Sequence, residues 1–209
     1  MSLATYKKKR SFNQTPEPAG KEKASNSSLV FVVQKHAASH LHYDFRLEME
    51  GVLKSWAVPK GQSMNPEDKR LAMMVEDHPY DYKDFEGTIP EGNYGAGQVI
   101  VWDKGTYHPY KTDKDEEKEL LAGLKKGHIT FILEGKKLKG EFALVKLKTA
   151  QSNAWLLIKK DDQFASTTDI LKKNKSAISN VTLESMIPKK SAAIAKKKSV
   201  SRKQVKKKP

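Results

Sequence analysis

His36, His42, Asp44 and Arg46 are the residues of this chain best equipped for chemistry. They fall within the run from Val33 to Leu47. From His40 onward the residue types alternate, with His40, His42, Asp44 and Arg46 on one parity and Leu41, Tyr43, Phe45 and Leu47 on the other. Side chains of a β-strand point to opposite faces with period two. The run therefore predicts a strand with one apolar face and one face of imidazole, carboxylate and guanidinium. Imidazole and carboxylate ligate divalent metals, and guanidinium grips phosphate. His36 lies just upstream, where a short turn can return it to the same face. Two histidines and a carboxylate form a facial type of metal site, with positions left for water or substrate. The combination points to metal-assisted phosphoryl chemistry. A polar strand face that simply meets water gives the same alternation. Solvated faces favour Lys, Glu, Thr and Ser, however, which this face lacks.

Short strands must position these groups. A β-rich run begins at Leu29–Val33, the alternating run continues to about Met49, and Gly51–Val58 follows across a tight Glu50-Gly51 turn. Further strands are expected at Arg70–Val75, Gln98–Trp102, Gly105–Tyr110, His128–Leu133, Gly140–Leu147 and Ala154–Lys159. Residues 76 to 96 hold two prolines and three glycines and read as long loops. One helix is capped by Thr112 or Asp113, carries acids in its first turns and ends at Lys125-Lys126-Gly127. A weaker one spans Thr168–Lys173. This pattern predicts a mainly β fold: a compact β-barrel with one or two short helices and disordered basic termini. The expected divisions are a flexible arm over 1–27, a barrel domain over 28–162, a weakly structured extension over 163–187 and a Lys-rich tail over 188–209.

The 209 residues include no cysteine, which removes disulfides, thiolate metal sites and a Cys nucleophile. Cysteine-free composition fits a reducing cytoplasm. No apolar run approaches the roughly 20 residues that span a bilayer, so no membrane partner is expected. The formal net charge is +14, which favours a polyanionic partner through counterion release and steering. From Pro188 onward there are many lysines, one arginine and no acid, as in a nucleic-acid arm or a linker.

Other groups are individually weaker. His78 and Tyr82, in Glu76-Asp77-His78-Pro79-Tyr80-Asp81-Tyr82, can meet a phosphate or assist a leaving group; packing and a backbone hydrogen bond would equally explain them. Lys60 and Arg70 are candidate phosphate ligands or plain surface charges. The Gly-rich run Gly87–Gly97 lacks the Gly-Lys-Ser/Thr ending of a nucleotide loop and reads as a tight turn.

Several ordered blocks closely resemble the 3′-phosphoesterase module of bacterial DNA ligase D. They are Phe31–Leu47, Lys54–Gly61, Glu76–Pro79, Phe85–Gly97 and Val101–Tyr107, and the resemblance covers roughly residues 6 to 160. It implies a barrel with a crescent groove and a manganese-dependent enzyme of end joining. Such an enzyme removes a 3′-terminal ribonucleoside and then the remaining 3′-phosphate from primer–template ends. Zinc or cobalt would also suit the donor set. By motif match, His36, His42 and Asp44 would bind the metal. Gln34, Arg46, Lys60, Arg70, His78 and Tyr82 would surround the phosphate, with Arg46, His78 and Tyr82 catalytic. Arg10 and Glu17 of the N-terminal arm match positions linked to activity. The family arm commonly reads Arg-Asp-Phe, whereas this chain has Arg10-Ser11-Phe12. A ligase module and the end-binding protein Ku are partners expected from the resemblance. A basic, non-catalytic DNA-binding module of a repair complex and a different metal hydrolase are the rival readings.

Overall fold

The computed structural model describes residues 3–20, 28–111, 115–149 and 151–186. Nine strands run in sequence order: β1 (Val30–Ala37), β2 (Leu41–Met49), β3 (Val52–Val58), β4 (Lys69–Pro79), β5 (Gly87–Ile89), β6 (Gly97–Pro109), β7 (His128–Gly135), β8 (Lys139–Lys146) and β9 (Ala154–Lys159). They pair in the order β1-β2-β3-β4-β9-β8-β7-β6-β5, and β1 also pairs with β6. Eight antiparallel strands thus close a barrel, with β5 appended to β6. Closure removes exposed strand edges.

Of the odd residues of the alternating run, Tyr43, Phe45 and Leu47 face inward, whereas Leu41 is exposed. Phe31, Phe45, Leu47, Trp56, Trp102, Phe131, Phe142 and Trp155 fill the interior. A second apolar cluster lies on the outer wall, where Val32, Leu53 and Val101 meet Tyr6, Tyr82, Phe85 and Ile89. Glu50 and Gly51 have φ of 55° and 70°, the left-handed pair of a tight hairpin turn.

Several boundaries differ from the sequence expectation. β1 runs on to Ala37, so His36 sits in a strand directly opposite His42. Glu76–Pro79 extends β4 instead of opening a loop, because His78 pairs with Leu53 across a bulge. Tyr80–Asp84 is a single 3-10 turn. The expected gap at Asp103-Lys104 is absent, and β6 is one 13-residue strand. There the Asp103 carboxylate accepts from the backbone N–H groups of Lys136, Lys137 and Leu138 and stays within the sheet.

Helices are three and short among the described residues. α1 (Leu3–Lys8) was not signalled by sequence pattern; one buried aromatic, Tyr6, fixes it against β4. α2 (Glu116–Lys126) is capped by Asp115 and ends at Gly127 with φ of 79°. The expected caps Thr112 and Asp113 lie outside the described residues. The Thr168–Lys173 segment forms only a 3-10 turn, Ile170–Lys172. α3 (Leu183–Met186) closes the extension. The Lys-rich tail also lies outside the described residues. No described helix is long and apolar enough to cross a membrane.

Candidate active site

The β1–β2 ladder builds the centre of the site. Antiparallel register sets His36 opposite His42, Gln34 opposite Asp44 and Val32 opposite Arg46. Directly opposed side chains share a face, so His36, His42, Asp44 and Arg46 converge on the outer wall of the barrel. One ligand atom from each of His36, His42 and Asp44 lies within 4.8 Å of the others. His36 Nδ1 is 3.6 Å and His42 Nε2 3.7 Å from the Asp44 carboxylate.

The other ring nitrogens define the tautomers. His36 Nε2 lies 2.8 Å from the Gly95 carbonyl, and His42 Nδ1 lies 3.0 Å from the His40 carbonyl. A carbonyl can only accept, so those two nitrogens carry the protons. His36 Nδ1 and His42 Nε2 therefore turn lone pairs toward Asp44. Metal-ligating histidines are oriented in this way by their second nitrogen. The donor set fits a divalent cation. Gly95, with φ of 76°, lets the loop bring its carbonyl over His36.

Arg46 is braced from behind. Its Nε donates to Gln34 Oε1 at 2.9 Å, one Nη donates to Ser55 Oγ at 2.8 Å, and the other is 3.2 Å from Asp44. These contacts leave two of its five N–H groups unused, and Arg46 lines the cleft. Burial tends to raise the Asp44 pKa, but the Arg46 guanidinium overrides it and holds the carboxyl well below its ordinary value. Gln34 is placed behind Arg46, with its amide nitrogen donating to the Tyr82 and Phe85 carbonyls.

The β3–β4 bulge supplies the opposite wall. Ser55 pairs with Val75 and Leu53 with His78, so three steps along β4 match two along β3. Val75 and His78 therefore share the site face, a common use of bulges near active sites. Buried His78 presents Nδ1 to the Glu76 carbonyl at 2.9 Å and Nε2 to an Nη of Arg10 at 3.3 Å. Nδ1 thus carries the proton and Nε2 a lone pair. Burial first, then Arg46 and Arg10, push the His78 pKa well below its usual value. The imidazole is neutral.

The N-terminal arm completes the cleft. Tyr6 is fully buried and its hydroxyl donates to the Pro18 carbonyl at 2.6 Å. Arg10 stacks on Tyr6 at 3.9 Å and reaches Glu76 at 3.4 Å. Glu17 accepts from Arg10 Nε at 2.8 Å, Tyr82 Oη at 2.9 Å and Thr15 Oγ1 at 2.9 Å. Burial and then Glu17 keep the Tyr82 phenol protonated. Its hydroxyl serves the arm, where sequence reasoning expects it at the phosphate. Ser11 is exposed.

Together these groups line a cleft of about 300 Å³ that holds Arg10, His36, His42, Asp44, Arg46, His78 and Tyr82. Lys60 and Arg70 are not among its walls. Lys60 is exposed beyond the end of β3. Arg70 has the strand parity of Ala72 and Met74, which pack on the barrel core, and pairs with Asp68 at 2.8 Å. Glu76, Ser55 and Tyr94 belong to the site although sequence reasoning assigned them no role. Ser55 could have been found from its register opposite Arg46; Tyr94 gives no signal until the loop is folded. Tyr94 is half-exposed at the mouth, under Lys9 at 4.6 Å.

A family profile described as DNA Ligase D 3′-phosphoesterase domain matches residues 34–146. The chain belongs to this family. The matched span holds the whole His-His-Asp cluster and both walls of the cleft except the arm. The chain is 54% identical over 171 residues to the multifunctional non-homologous end joining protein LigD of Pseudomonas aeruginosa, covering 80% of this chain and 19% of the relative. The Mycolicibacterium smegmatis protein of the same name is 42% identical over 163 residues, 77% of this chain and 21% of the relative. The Mycobacterium tuberculosis H37Rv relative is 41% identical over 155 residues, 74% and 19% respectively. The chain thus spans about a fifth of the length of the curated relatives it matches and corresponds to one module of them. As a phosphoesterase of this family it is a hydrolase, and its His-His-Asp cluster suits a divalent metal.

Proposed function

We propose that this phosphoesterase heals DNA 3′ ends during end joining, removing a 3′-terminal ribonucleoside and a 3′-phosphate in a manganese-dependent reaction. The observation that carries this reading is the convergence of His36 Nδ1, His42 Nε2 and Asp44 beside the Arg46 guanidinium. A bound divalent cation supplies Lewis acidity to a phosphate oxygen. Arg46 presents its planar guanidinium to phosphate oxygens, a shape that Lys cannot copy. Arg10, the second guanidinium of the cleft, adds charge against the same anion. Neutral His78 accepts from Arg10 at Nε2 and donates from Nδ1 to the Glu76 carbonyl, and so holds Arg10 toward the phosphate. Glu17 and Tyr82 keep Arg10 in place. The substrates are the 3′ ends of DNA and of RNA–DNA primer–templates, held through their backbone without base reading. A DNA ligase module and Ku are the proposed partners, and the cytoplasmic nucleoid is the proposed location.

The test uses two labelled primer–templates, one ending in ribonucleotides and one in a 3′-phosphate. Each is incubated with manganese or with chelator. Metal-dependent conversion of both to a 3′-hydroxyl end is expected. Intact binding without conversion would overturn the reading in favour of a non-catalytic DNA-binding module.

Ser11 bears on the balance of the two steps. The family's acidic group at this position is linked mainly to ribonucleoside removal. We infer that this step is the slower one here, and that Ser11→Asp raises it several-fold relative to phosphate removal. An unchanged ratio in that variant counts against a role for the position.

A further inference from the structure

A second cleft, larger than the catalytic one at about 700 Å³, lies between the β7–β8 turn and the C-terminal extension. Five lysines line it, Lys136, Lys137, Lys172, Lys173 and Lys175, and no acidic residue does. The cleft is built, not incidental. Asp103 accepts backbone N–H groups from Lys136 at 3.1 Å, Lys137 at 3.1 Å and Leu138 at 2.8 Å, which fixes the turn. Lys136 Nζ then donates to the Ala177 carbonyl at 2.5 Å and Lys137 Nζ to the Lys175 carbonyl at 2.9 Å. Trp102 Nε1 donates to the Lys173 carbonyl at 2.6 Å. These bonds hold the extension on the barrel and leave Lys172, Lys173 and Lys175 exposed around the opening. None of those three forms an ion pair among the described residues.

One buried carboxylate, Asp103, lies beneath the turn that carries Lys136 and Lys137. Desolvation depresses the Lys137 pKa, Asp103 pulls against it, and the neighbouring Lys173 and Lys136 add to the depression. Lysines are compact point charges suited to phosphate oxygens. The lining has no aromatic platform for unstacked bases and no arginine fork for base edges. Its chemistry is that of backbone contact, which positions a duplex without reading it. The extension also meets β6 directly, through Ala177 N–H and the Val101 carbonyl at 2.7 Å. Val101 pairs with Gln34 on β1, the strand that carries His36.

We propose that this lysine cleft is a second nucleic-acid contact, which grips the phosphate backbone of the duplex away from the 3′ end being processed. It rests on the reading of the chain as a DNA-end enzyme, and the test separates the two. The variant Lys172→Gln/Lys173→Gln/Lys175→Gln removes exposed charge without touching the catalytic cleft. Binding of a plain blunt duplex, without metal, is measured across a salt series for parent and variant. Neutralising three phosphate contacts should reduce the slope of log affinity against log salt by about 2 to 3. The matching triple arginine variant should restore the slope. Turnover of a short single-stranded 3′-phosphate substrate should equal that of the parent, while the KM for long duplex substrate rises. An unchanged salt slope overturns the proposal, as does an equal fall on neutralising Lys118, Lys125 and Lys126 of α2. Reduced slope with no turnover in any protein would sink the end-healing reading and leave the backbone contact standing.

Discussion

In the β1–β2 hairpin, His36 meets His42 because the ladder sets them opposite each other; in the N-terminal arm, Arg10 reaches the same cleft because Tyr6 and Glu17 anchor it. The hairpin is held by backbone pairing and by Phe45 and Leu47 on its reverse face, both fully buried. A slip of one residue would expose that apolar face and bury the histidines. The arm has no ladder. It depends on one aromatic residue and on a carboxylate that receives three hydrogen bonds. The His-His-Asp cluster suited to a metal is thus a property of a sheet, while part of the cationic surround depends on a docked segment. The two can be broken separately.

The largest effect should come from the hairpin. His42→Ala removes the Nε2 donor, and both ribonucleoside and phosphate removal should fall to background together with manganese affinity. Calorimetric titration of the metal and end-labelled gels report the two losses; full turnover with metal present would sink the ligand assignment. Arg46→Lys comes next. It keeps a charge but loses the contacts to Gln34 and Ser55 along with the planar fork. A cost on the order of 100-fold in turnover is expected, typical of losing a preorganised donor to a developing anion. Near-normal rates would show that a point charge suffices.

Sequence carried much of this hairpin, and for a physical reason. Strand periodicity is local, so the parity of His42, Asp44 and Arg46 can be read along seven residues without knowing the fold. The barrel class followed from many short strands separated by turn signals. What sequence could not show is set by contacts between distant residues. The Gly95 and His40 carbonyls that fix the imidazoles carry no side-chain signature. The bulge that aims His78 depends on the register of β4 against β3. Arg70 looks like any candidate phosphate ligand until its parity with core residues is seen. The arm was the least legible, since its polar composition hides a single buried Tyr6.

An intermediate effect should come from the arm. Glu17→Ala leaves Arg10 Nε and the Tyr82 hydroxyl without their acceptor. Turnover should fall about 10- to 100-fold, the range for removing groups that orient an active site, while metal affinity stays at the parent value. Tyr6→Ala should reproduce that split and also cost about 3 kcal/mol of stability, as for a large buried side chain. Metal affinity falling in step with turnover in Glu17→Ala would mean that arm and hairpin are one cooperative unit.

His78 stands where the two regions meet, between the Glu76 carbonyl and Arg10, and it gives the smallest effect. Folded His78 stays neutral well below its ordinary pKa. The unfolded chain takes up a proton near pH ~6.5. Below that pH the unfolded state binds more protons, so stability falls on acidification by at most about 1.4 kcal/mol per pH unit until folded His78 also protonates. Asp44, whose folded pKa is depressed, acts lower, losing its contribution only as pH falls below the ordinary carboxylate value of about 3.9. Mild acid therefore separates His78 from Asp44. Denaturant unfolding of parent and His78→Asn between about pH 7 and pH 5 should show a flatter pH dependence in the variant, because Asn cannot titrate yet can still donate to the Glu76 carbonyl. Equal slopes would place His78 in water in the folded protein, and its contact with Arg10 would then not be what joins arm to barrel.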